Sequence, residues 1–172
     1  MIRFFVSVLL LITCFVFQGT VFEEISFAGT VPNLLLILTV SLGLMRGRKT
    51  GMLLGFFSGI MMDVFIGSNI GLYALIYMYI GYANGYFHKV FFPEDVKLPI
   101  GMIIFSDLFY GFICYVLLFL LRGRLDFGFY FVHVIIPECI YTIIVTVFLY
   151  PLIFLINKLL ERVENRGAKK FV

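Results

Sequence analysis

The stretch Gly47–Gly71, GRKTGMLLGFFSGIMMDVFIGSNIG, sets glycines at positions 47, 51, 55 and 59 and an aspartate at 63, a strict step of four. Residues four apart lie nearly above one another on a helix. The series reads as one bare helix face that climbs to a carboxylate. Glycine gains nothing from facing lipid, whereas small-xxx-small faces serve where two helix backbones approach closely. Something is expected to fill this groove. What surrounds it depends on the solvent in which the chain folds.

Of the 172 residues, 62% are hydrophobic and only 13% charged, with a mean hydropathy of +1.09. Soluble domains are roughly half apolar and a quarter charged. A chain of this length cannot hide so much apolar surface in one core. Lipid is the expected solvent.

Apolar runs near 3–22, 31–45, 50–66, 71–88, 98–121 and 130–156 mark six candidate spans, since about 20 helical residues cross a ~30 Å hydrocarbon core. The runs are continuous, whereas barrel strands would alternate. The expected fold is an all-α membrane protein, with a six-helix transmembrane domain over 1–157 and a basic cytoplasmic tail over 158–172.

Basic residues set orientation in the membrane. With both termini inside, the cytoplasmic face collects Arg3, Arg46, Arg48, Lys49, Lys89, Lys97, Lys158, Arg162, Arg166, Lys169 and Lys170. That leaves only Arg122 and Arg124 of the 13 basic residues outside. The net charge of +3 therefore reflects topology, and the basic tail suits anionic membrane lipid rather than nucleic acid.

The first span lacks a small-x-small cleavage site after Phe17 and reads as uncleaved. Thr13 fits poorly before Cys14 for a lipoprotein box. Cys14, Cys114 and Cys139 fall inside spans without paired spacing and read as small packing residues. There is no HExxH, and GRKTG lacks the glycine spacing of a phosphate loop. Ser58 and His133 could suggest an intramembrane protease, but Phe56 stands where that motif needs glycine. No enzyme, metal or cofactor is expected.

Three acids remain. Asp63 precedes Gly67, Ser68, Asn69 and Gly71, residues suited to a tight extracytoplasmic turn. Its carboxylate either binds amides there and caps the fourth helix, or takes a partner or ligand. Asp107 lies about eight residues into the fifth span, with Tyr110, Gly111 and Cys114 on its face. Glu138 follows Pro137 in the sixth, with Tyr141 and Thr142 on its face; the proline removes a helix amide and is expected to kink the span. Intramembrane acids default to functional candidates. One counts from the cytoplasmic end and the other from the outer end, so nothing in their spacing makes them neighbours. In the fourth span, Tyr77, Gly81, Asn84 and Gly85 form a second small or polar face, able to pack on the glycine stripe.

The stretch VPNLLLILTVSLGLMRGRKTGMLLGFFSGIMMDVFIGSNIGLYALIYMYIGYANGYF resembles the bacterial rod shape-determining MreD family. That family opens its second span with Pro-acid-Leu-Leu, here Pro32, Asn33, Leu34 and Leu35, so Asn33 replaces the usual acid. A short basic loop follows, then a glycine-rich helix ending in Asp and a Gly-Ser-x-x-Gly turn, matched by Asp63, Gly67, Ser68 and Gly71. The likeness covers about a third of the chain.

The resemblance implies a multi-pass protein of the bacterial cytoplasmic membrane in the cell-elongation machinery, with a fold like the substrate-binding subunits of energy-coupling-factor transporters. It implies association with MreC, and through it with MreB, RodA and the transpeptidase partner of RodA, all in support of peptidoglycan synthesis. The expected function is a non-enzymatic scaffold. Gly51, Gly55, Gly59, Asp63, Gly67, Ser68 and Gly71 are its packing or partner-binding candidates, and Asp107 and Glu138 its buried polar ones. The glycine groove is the first expected contact for the MreC helix, with homodimerisation a competing use. The alternative function is a small-solute-binding transporter subunit, with a polar pocket near Asp63, Asn69, His133 and Glu138.

Overall fold

The computed structural model describes residues 2–25, 29–65, 71–90, 96–118 and 127–168. Six long helices carry the architecture: α1 (Ile2–Gly19), α2 (Leu34–Arg46), α3 (Arg48–Phe65), α4 (Leu72–Tyr86), α5 (Lys97–Leu118) and α6 (Ile136–Ala168). No strand occurs among the described residues. Gly67, Ser68 and Asn69 of the turn, and Arg122 and Arg124, lie outside them.

A helix that is apolar all round belongs inside, and LLLILTVSLGLM of α2 is buried without a break from Leu34 to Met45. It forms a central post contacted by each of the other long helices. Gly47 ends α2 with φ +89° and ψ 180°, a backbone region open essentially to glycine alone. That single residue turns the chain straight into α3. The pairing of α3 with α4 is the most extensive in the bundle.

Polarity is reversed relative to a soluble protein. Asn33, Thr39, Ser41, Ser58, Asp63, Asn84, Asp107, Thr142 and Thr146 are buried, while Phe5, Phe65, Phe105, Phe129 and Phe148 are each more than 60% exposed. Water would not tolerate an apolar surface so extensive; hydrocarbon does. Two helical stretches, Lys97–Leu117 and Gly128–Val163, are long and apolar enough to cross a membrane by length and composition.

α6 departs from the sequence expectation at both ends. It is led in by the short turn Phe127–Tyr130 and a π-helical turn, Phe131–Ile135. That wider turn stands just before Pro137, whose missing amide cannot join the ladder, and such turns relieve a local mismatch of this kind. At the other end the helix runs past Asn157 to Ala168, so the stretch read as a basic tail begins as its continuation.

Candidate functional site

The glycine face of α3 is occupied by this chain's own α4. A Cβ on Gly51 would run into the Gly81 carbonyl, one on Gly55 into the Tyr77 carbonyl, and one on Gly59 into the Ala74 backbone. From the other side, a Cβ on Gly81 would meet the Gly51 carbonyl, and one on Gly85 the Arg48 backbone. Each step of four up α3 is answered by a step of three or four down α4. The two antiparallel backbones thus touch along their length, with no side chains between them. The groove expected to take a partner helix is therefore filled, and a partner could use it only by displacing α4.

Where the stripe reaches Asp63, the contact changes from steric to polar. Oδ1 accepts from the Tyr73 amide at 2.9 Å and Oδ2 from the Ala74 amide at 2.9 Å. Asp63 is 2% exposed. The residue at the head of α4 is Gly71, at φ +98° and with no side-chain cap of its own. The first amides of a helix have no intrahelical acceptor, and a carboxylate is favoured there by both hydrogen bonding and the helix dipole. Asp63 thus supplies from α3 the cap that α4 lacks.

A second polar cluster ties the central post to the outer helices. Asn33 caps α2, its Oδ1 accepting from the Leu36 amide at 3.1 Å and from the Tyr77 hydroxyl at 2.5 Å. The Asn33 amide donates to Thr142 Oγ1 at 3.2 Å. Thr142 in turn interacts with the Asp107 carboxyl. Glu138, one turn earlier on α6, interacts electrostatically with Asp107. The two acids therefore interact across the α5–α6 seam, although nothing in their spacing made them neighbours. Counting from opposite membrane faces brings both to the same depth, because α5 and α6 run in opposite directions. Asp107 Oδ1 is buried and has no hydrogen-bond partner among the described residues. Glu138 also lines a cleft of about 860 Å³ with Gln18, Thr20 and Thr30.

Several of the remaining polar residues are paired off structurally, while Ser41 Oγ is buried with no hydrogen-bond partner among the described residues. Ser58 lies fully buried, 3.2 Å from the Thr39 hydroxyl. His133 is exposed and stacks on Phe129 at 4.2 Å. Asn84 donates to Ser106 at 2.8 Å. All three cysteines are buried and free, and no group of metal-binding residues occurs among those described. The arrangement fixes helices against one another.

Gln18 and Arg46 took part in no sequence-level site. Gln18 Oε1 accepts from the Leu35 amide at 3.2 Å. The buried set Ser7, Leu11, Cys14 and Gln18 has the 4–3–4 spacing of one helix face, which is the signal that could have found it. Arg46, counted only as a topology charge, donates from Nε to Asn157 Oδ1 and from Nη1 to Ser7 Oγ, both at 2.6 Å.

With the geometry in place, comparison with known proteins adds one positive finding. The family model described as rod shape-determining protein MreD matches residues 1–160. No curated protein matches, and no solved structure matches.

Proposed function

Because the chain belongs to the MreD family of rod shape-determining proteins, we propose that it acts in rod-shape determination as a non-enzymatic scaffold of the bacterial cytoplasmic membrane. It crosses the bilayer six times with both termini inside, holds MreC, and through MreC helps organise MreB, RodA and the peptidoglycan-synthesising machinery. The family match over nearly the whole chain carries this reading. Support comes from the six long helices, from the one-sided distribution of basic residues, and from the backbone-on-backbone packing of α3 and α4.

Since α4 fills the glycine groove, an MreC helix docks on outward faces of the bundle. Rigid internal packing suits this role, because a scaffold must present fixed surfaces, and close-packed bistable alternatives would blur them.

Affinity purification of tagged protein from its host membranes, with mass-spectrometric identification of what accompanies it, tests the proposal. Recovery of an MreC-like single-span protein in near-equal amount is the expected result. Recovery of an ATPase pair with a membrane coupling subunit would replace the scaffold by a transporter component.

A further inference from the structure

A second cleft, of about 760 Å³, lies between α1 and α3 at the end of the bundle that carries Arg3 and Arg46. Its walls are apolar, with Val8, Leu53, Phe57 and Met61 among them. Its charged and polar lining gathers at one end: Arg3, Arg46, Thr50, His88 and Glu161, with Ser7 beside them. Two guanidinium groups thus face one carboxylate.

Arg46 is held in place by its bonds to Ser7 and Asn157, while Asn157 also donates to Glu161 at 3.0 Å. Ser7 and Asn157 are each 5% exposed. Arg46 is therefore a built feature of the cationic end, its position set by buried partners. Basic pockets between helices at the cytoplasmic membrane face take anionic lipid headgroups, and guanidinium is the cation best matched to a phosphate.

Depth decides the occupant. Along α1 the cleft runs from Arg3 to Ile12, and along α3 from Thr50 to Met61. At ~1.5 Å per residue that is about 14–17 Å, close to one leaflet of a ~30 Å hydrocarbon core. Beyond it the Phe15 and Phe65 rings, 5.0 Å apart, close this seam off from the outer cleft, which they also line. A transmembrane helix needs a seam of full membrane length, which this closure denies. An acyl chain needs one leaflet.

We infer that the α1–α3 cleft binds one anionic phospholipid of the inner leaflet, its acyl chain between Val8 and Phe57 and its phosphate at Arg3 and Arg46. The inference rests on the N-in orientation proposed above, and not on any protein partner.

Native mass spectrometry of the full chain in mild detergent, with phosphatidylglycerol or phosphatidylcholine added, tests it. One phosphatidylglycerol is expected to be retained per chain, in clear preference to phosphatidylcholine. Arg3→Gln should cut that preference about fivefold, from ~1 kcal/mol per basic group at an anionic surface and ~1.4 kcal/mol per tenfold. Arg3→Lys should restore much of it. Val8→Trp, which fills the cleft, should remove retention of both lipids while leaving thermal unfolding in detergent little changed. Equal retention of the two lipids, or an unchanged adduct in Val8→Trp, would overturn the assignment. So would a benzophenone side chain at Leu53 that cross-links protein and not lipid in native membranes. Failure to recover MreC would leave these readouts unaffected, because the assay contains only this chain and lipid.

Discussion

The carboxylate of Asp63 and the amide of Tyr73 lie 2.9 Å apart, joining the last turn of α3 to the first turn of α4, whose N-cap residue Gly71 has no side-chain cap bond. One residue thereby ends a glycine stripe and starts the helix that covers it. Removing it should expose how far the pair depends on that bond.

Asp63→Ala leaves the Tyr73 and Ala74 amides without their acceptors. Each buried orphan costs about 1–3 kcal/mol, so a loss of roughly 2–6 kcal/mol is expected. Asp63→Asn keeps one oxygen and should fall between. Thermal unfolding in detergent gives the ranking, and hydrogen exchange at Tyr73 and Ala74 gives the location. Wild-type protection of both amides in the alanine variant would show that some other group caps α4.

The glycine stripe allows a sharper contrast. A Cβ at Gly55 meets the Tyr77 carbonyl, whereas one at Gly101 meets nothing within 4 Å. Overpacking costs about 1–3 kcal/mol where side chains can yield. Here the obstacle is backbone, so Gly55→Leu should sit at or above the top of that range. Gly101→Ala should instead be neutral or gain up to about 1 kcal/mol from helix propensity. If both variants melt with the wild type in detergent titration, the two helices are not in backbone contact.

The difference between these glycines marks how far the sequence could be read. Spacing of four is visible in the chain itself, as are the apolar runs and the charge asymmetry, because each is a property of one helix. What fills a groove is a property of two. Tyr77, Gly81, Asn84 and Gly85 stood out as a face able to meet the stripe, but the same stripe served equally well for a partner helix, and periodicity cannot choose between them. The bond from Asn33 to Thr142 spans 109 positions, and the Asp107–Glu138 encounter crosses two helices joined by a long connection. Helical period says which way a residue faces, not what stands opposite. Gln18 escaped notice for a simpler reason: a lone amide near the end of an apolar run resembles an interfacial residue until its burial is known.

Asn33 stands where the family usually has an acid, and both its accepted bonds go to one oxygen. Asn33→Asp retains that oxygen and places negative charge at the start of α2, where the dipole favours it. It should be tolerated better than Asn33→Ala, which strands the Leu36 amide and the Tyr77 hydroxyl. A double-mutant cycle with Tyr77→Phe should give a coupling of about 0.5–1.5 kcal/mol, the net worth of a single hydrogen bond. Additive effects within a few tenths of a kcal/mol would mean that the Tyr77 hydroxyl is bonded elsewhere.

Thr142 carries the other half of this cluster. Its hydroxyl accepts from the Asn33 backbone amide and interacts with the Asp107 carboxyl of α5, so one oxygen joins α2 to α6 beside that acid. Thr142→Ser keeps the oxygen and loses a methyl, and should cost about 1 kcal/mol, the usual scale for one buried carbon. Thr142→Val keeps the shape and loses the oxygen, leaving the buried Asn33 amide unsatisfied. Its expected cost is about 1–3 kcal/mol, the scale for one stranded buried group. The order is the test, since packing alone predicts that valine is the milder change. If valine proves milder than serine by thermal unfolding, the methyl matters and the hydroxyl does not, and the central post is held to α6 by packing alone.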